Sequence, residues 1–124
     1  MAQVNTKSDP ILTELHYLFS RSSGKVVAHC LNLDLVASGD TTELAEARLN
    51  AVVVAQIASC WTSGNYWQLR FKAPVEYWQA LADAKDLPKF KLEVDVPAVV
   101  LPVSRSVVSV PVYRHEAQPE LVAA

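Results

Sequence analysis

Val36-Ala37-Ser38-Gly39-Asp40-Thr41-Thr42-Glu43-Leu44-Ala45-Glu46-Ala47 carries the passage from strand to helix on which the reading of the fold turns. Gly39 can take a positive φ that other residues resist. Asp40 has the chemistry of an N-cap, since a carboxylate accepts the free amide hydrogens of a first helical turn. Glu43, three residues on, completes a box-like arrangement and suits the positive end of the helix dipole. The spacing predicts a helix over 41–59, with Leu44, Ala45, Leu49, Val52, Val53 and Ile57 as its core stripe. Ala51, Val54, Ala55 and Ala58 widen the apolar surface around its second half, as in a helix covered on more than one face. The C-terminal half of the chain or a second subunit must supply that cover.

Upstream of this passage, 25–31 is Val-rich and apolar on both faces, which suits a central strand. Residues 33–38 read as the next strand, with Leu33, Leu35 and Ala37 opposite Asp34, Val36 and Ser38. Residues 15–19 read as a short strand with Tyr17 and Phe19 on one face, and 20–24 as a hairpin turn of small residues. Downstream, Trp61, Trp67 and Trp78 lie with Tyr66, Phe71 and Tyr77 in the segment that is hardest to read. Residues 66–72 fit either a strand or an irregular turn. Pro74 suits the start of a short helix over 74–84 that buries Tyr77, Trp78 and Leu81 and ends at Pro88. Phe90, Leu92, Val94 and Val96 alternate with Lys91, Glu93 and Asp95, the period of a half-buried strand. Residues 99–103 and 107–113 are Val-rich and extended, and Pro102 and Pro111 within them point to edge strands.

At 124 residues, 51% of them hydrophobic and 19% charged, the chain has the size and composition of one globular domain. The expected organisation is a flexible leader over 1–10, a single domain over 11–113 and a loose tail over 114–124. The expected fold class is α+β: an antiparallel sheet, one long helix on a face, a short second helix and Val-rich C-terminal strands. No apolar run is long enough to span a membrane, and residues 1–10 lack the apolar stretch of a secretory signal, so the cytoplasm is the expected compartment. The net charge of −2 comes with no concentrated basic patch, which disfavours direct binding to DNA or RNA.

Little in the chain suggests chemistry. Cys30 and Cys60 match no zinc or redox spacing and read as reduced, partly buried thiols. His29 beside Cys30 invites a nucleophile–base pair, but neighbours on a strand point to opposite faces. Asp34, Asp40 and Glu43 have no histidine or cysteine at ligand spacing, and capping accounts for the last two. Three glycines make no phosphate-binding loop, and His16 and His115 stand isolated. The expectation is no catalytic residue, no metal and no cofactor. The aromatic segment around Trp67, Tyr77 and Trp78 reads either as a satellite core or as a partner or pocket surface.

Cys30-Leu31-Asn32-Leu33-Asp34-Leu35-Val36-Ala37, then Gly39-Asp40-Thr41, then Glu43-Leu44-Ala45-Glu46-Ala47 together resemble the core of HicB-type antitoxins. Lys72-Ala73-Pro74-Val75-Glu76-Tyr77-Trp78 is similar to the downstream region of stand-alone members. The resemblance covers about the first two-thirds of the chain. It implies three strands, a helix across one face and a further strand returning to the sheet, for which 90–96 is the candidate. It also implies oligomers and a protein partner of the HicA type, a small RNA-cleaving toxin. The C-terminus is extended and shows none of the helices of the DNA-binding modules that many full antitoxins carry.

The expected function is therefore a non-catalytic, homo-oligomeric protein-binding module that neutralises a small HicA-like toxin. A structural or regulatory oligomer of the same fold, or a small-ligand binder using the Trp-rich segment, stays open. Val99, Leu101, Val108 and Val110 are the candidates for the oligomer interface, because adjacent apolar residues on both faces of an extended chain need cover.

Overall fold

The computed structural model describes residues 14–63, 72–97 and 105–117. In chain order these form β1 (Leu15–Ser22), β2 (Lys25–Cys30), β3 (Leu35–Gly39), α1 (Thr42–Ser63), α2 (Val75–Ala80), β4 (Lys85–Pro97) and β5 (Arg105–Glu116). The strands make one sheet in the order β3-β2-β1-β5-β4. β1, β2 and β3 are an antiparallel meander, and β4 pairs antiparallel with β5. β5 joins the meander parallel to β1, with Leu15 opposite Val112 and Phe19 opposite Glu116. The fold is α+β with a long helix on the sheet, but the sheet is mixed and not purely antiparallel.

Local chemistry accounts for the turns. Ser23 and Gly24 have φ of 54° and 81°, the two positive values of a type I′ hairpin turn between β1 and β2. Asp34 also has φ 54°, a left-handed conformation that Asp tolerates better than most residues. That turn delays β3 to Leu35, two residues later than the expected start at Leu33. Leu33 is still buried, and it enters the core from the turn.

The entry into α1 departs from expectation at the cap. Thr41 Oγ1 accepts the amide hydrogen of Leu44 at 3.1 Å, so Thr41 occupies the capping position. Asp40 instead receives the Lys25 ammonium at 2.6 Å, and that pairing holds its carboxyl below the usual range. Glu43 stays in the first turn, where it suits the dipole, but it does not stand three residues after the capping residue. Thr41→Ala should therefore lower the unfolding free energy by about 0.5–2 kcal/mol. Asp40→Ala should cost less, because its ion pair is exposed. Urea titrations of both variants check the order, and a larger loss in Asp40→Ala would return the cap to Asp40.

Helix α1 runs four residues past the expected end at Ser59, to Ser63, since no breaker precedes Gly64. Ala45, Leu49, Val53, Ile57 and Cys60 form its buried line. They pack against Leu15, Tyr17, Phe19, Val26, Ala28, Cys30, Leu92, Val94, Val110 and Val112 from the sheet. Two polar links join helix and sheet: Tyr17 donates to Asn50 Oδ1 at 2.8 Å, and Arg114 pairs with Glu46. Leu44 and Val52, expected in the core stripe, are 37% and 41% exposed on the outer side of the helix.

The C-terminal half differs most from the sequence reading. The short helix ends by Asp83, and Pro88 does not terminate it. Pro88 lies inside β4, where the ladder to β5 is irregular between Leu87 and Phe90 and no regular hydrogen bond is lost. β5 is an interior strand, not an edge. Pro111 fits because the ladder to β1 begins one residue later, at Val112. Arg114, His115 and Glu116 belong to β5, so the strand extends into the expected tail. Residues 1–10, 66–71, 99–103 and 118–124 lie outside the described residues.

Candidate functional site

Alternation along the strands sorts the side chains onto two faces. The face under α1 takes the large apolar residues. The other face receives His16 and Leu18 from β1, Val27 and His29 from β2, Val36 from β3, and Tyr113 and His115 from β5. A second, smaller cluster of Leu18, Leu31 and Ala73, with Trp78 and Leu81 packed on it, covers part of that face. Helix α2 is held there by backbone: Ala73 N–H donates to Leu31 O at 2.8 Å, and the Trp78 indole N–H donates to Ala73 O at 3.2 Å.

Beside this cover lies an open groove of 460 Å³. Leu18, Val27, Val36, Pro74 and Tyr77 give it an apolar lining, and Ser20 and Ser22 line it beside them. His29 Nε2 meets Asp34 Oδ1 at 2.7 Å. Because an ionised carboxylate only accepts, Nε2–H is the donor. The Tyr77 ring stands edge-on to the imidazole, 4.7 Å between centroids. His29 is buried and Asp34 half-exposed, so the polar pair sits at the lip of an apolar surface. Tyr77 and Val36 are 42% and 54% exposed. An apolar groove with one fixed polar pair recognises a ligand by shape and by one oriented hydrogen-bonding group.

The residues singled out from the sequence divide among several places. Tyr77 lines the groove, whereas Trp78 packs in the smaller cluster and does not. Trp67, Val99 and Leu101 lie outside the described residues. Val108 pairs with Val94 in the β4–β5 ladder, and nothing is described of its side chain. Val110 is a core residue, 2% exposed, so it is spent inside one chain and is no subunit interface. His29 and Cys30 do point to opposite faces. Burial pushes the Cys30 thiol up to about 11, so it is protonated at neutral pH.

His29 and Asp34 were considered in the sequence only for catalysis or metal binding and set aside, and His16 and His115 stood isolated; the structure puts all three histidines on one face. Period-two reading of β1 and β2 could have paired His16 with His29 as outward residues. Nothing local could have added His115, which reaches that face through the parallel β1–β5 pairing. Among the described residues no group of three or more His, Cys, Asp or Glu is arranged to hold a metal ion. Among them, too, no helix is long and apolar enough to cross a membrane.

The chain matches no family model, no curated protein and no solved structure.

Proposed function

We propose that this chain is a non-catalytic, cytoplasmic protein-binding module of the HicB type that takes a segment of a small protein into the groove beside Tyr77. The observation that carries the reading is the groove itself, with two large apolar side chains, Val36 and Tyr77, left in solvent at its edge. Exposed aromatic residues beside a concave apolar lining are what partner anchors fill. The half-exposed Asp34 carboxylate suits a basic residue of the partner, and a HicA-like toxin is the partner that the sequence resemblance implies. The order strand–strand–strand–helix through Leu15–Ser63 fits the same resemblance.

Self-association belongs to the proposal. The outer side of α1 exposes Leu44 and Val52 beside Ala47, Ala51 and Ala55, a surface of the kind that a second copy covers.

Affinity capture from the native host, read by mass spectrometry, tests the groove with the wild type, Tyr77→Ser and Val36→Asp in parallel. Both side chains are exposed, so the variants keep the fold. The expected result is one small basic protein held by the wild type and released by both variants. Identical retention by all three sinks the assignment. Sedimentation of Val52→Lys against wild type reads the subunit count, and a wild type that sediments as a monomer removes the oligomer. A second reading, a small-ligand binder, draws on the groove volume, which lies within the roughly 300–1,000 Å³ of small-molecule sites. Saturable binding of a small metabolite that Tyr77→Ser abolishes would favour it.

A further inference from the structure

Away from the groove, four side chains form a line across the seam between the meander and the β4–β5 hairpin. Glu14 Oε2 contacts His16 Nε2 at 2.6 Å. His16 Nδ1 faces His115 Nε2 at 3.1 Å. His115 Nδ1 contacts Asp86 Oδ1 at 3.1 Å. Glu14 and His16 belong to the β1 side, His115 to β5 and Asp86 to β4. The imidazoles are stacked, with centroids 5.3 Å apart and planes 23° off parallel. Tyr113 stacks on His16, the Lys89 ammonium lies 5.5 Å over the Tyr113 ring, and Trp78 meets His16 edge-on at 5.9 Å.

Counting protons along this line gives a definite answer. Ionised Glu14 and Asp86 can only accept, so each outer contact takes one ring N–H. That leaves His16 Nδ1 and His115 Nε2 facing each other. With both rings neutral, both of these nitrogens are bare lone pairs, and two lone pairs cannot bond. With both rings charged, two N–H groups oppose each other. The line closes only with three protons on four ring nitrogens, one imidazole beside one imidazolium.

We propose that His16 and His115 form a proton-operated latch across the outer face of the β1–β5 seam, against the edge of Trp78, that closes in one protonation state only. The latch is independent of what the groove binds. Burial lowers the proton affinity of His115, the nearby His16 adds to the effect, and Asp86 opposes it. His115 is therefore the ring that accepts across the pair. The sign of the acid limb follows. A histidine whose folded pKa is depressed below its ordinary 6.5 takes up more protons unfolded than folded. Its contribution is complete above that value and is lost as pH falls through the folded pKa. On the alkaline side the latch opens when the third proton leaves and the lone pairs are brought face to face.

NMR of the imidazole nitrogens and of the Trp78 indole N–H, on the full chain in chelator, tests this across about pH 5 to 8, where histidine changes charge. The expected result is one cationic and one neutral ring on a plateau, with the Trp78 signal moving on both limbs. His115→Phe should shift the titration midpoint of His16. Asp86→Asn alters an exposed side chain and keeps the fold, and it should move the acid limb to lower pH. Independent titration of the two rings, a His16 midpoint unchanged by His115→Phe, or an acid limb unmoved by Asp86→Asn overturns the latch. So does a Trp78 response that appears only when zinc is added.

Discussion

Val110→Asp is expected to unfold the protein. Val110 is 2% exposed and sits opposite Leu92 in the β4–β5 ladder, in the layer that meets α1. A carboxylate there would lie in the layer formed by Leu92, Val94, Val112 and the buried side of α1. Leaving a charge buried and uncompensated costs about 3–5 kcal/mol, and the valine's own burial is lost as well. Domains of this size have only about 5–15 kcal/mol to lose. The variant should therefore show a collapsed or missing urea transition. A folded Val110→Asp monomer with the wild-type midpoint would return this residue to a subunit interface. Ser109, next to it and exposed, is the control: Ser109→Asp should be almost neutral.

Gly39→Ala should be damaging out of proportion to the single methyl group it adds. A Cβ built on Gly39 would stand 2.8 Å from the amide nitrogen of Ala45 and 2.9 Å from Leu44 Cγ. The leucine is at the surface and can turn aside, but the Ala45 amide belongs to the first turn of α1. The helix start would have to move off β3, and Ala45 is fully buried. Forcing extra volume into such a contact costs about 1–3 kcal/mol. Adding Leu44→Ala should restore only part of the loss, because the backbone contact remains. Full rescue in the double variant would assign the clash to the leucine alone. Gly39 is thus needed for close approach, while the positive φ expected there occurs instead at Ser23, Gly24 and Asp34.

Several elements were legible because their signals are local. The alternation of Phe90, Leu92 and Val94 with charged neighbours placed that strand, since side-chain direction is fixed by the backbone period. The polar, small residues before the helix marked where it starts, although the cap fell on Thr41 and not on Asp40. Pro111 was read as the mark of an edge strand and Pro88 as the end of a helix, and both lie inside paired strands. They are tolerated for reasons that depend on what lies beside the strand: the ladder is irregular between Leu87 and Phe90, and the pairing with β1 begins only at Val112.

By itself, then, the sequence determined the α+β class, the long helix over an apolar sheet face, and the separation of His29 from Cys30. All of these follow from periodicity and from groups a few residues apart. Only the tertiary structure decided that β5 runs inside the sheet parallel to β1, that Val110 belongs to the core, and that Leu44 and Val52 face outward. It alone also gathered Glu14, His16, Asp86 and His115 into one line. The physical reason is distance along the chain: His16 and His115 are 99 residues apart. A pairing of that range is chosen by the burial of whole strand faces together, and no local pattern encodes which strands will meet.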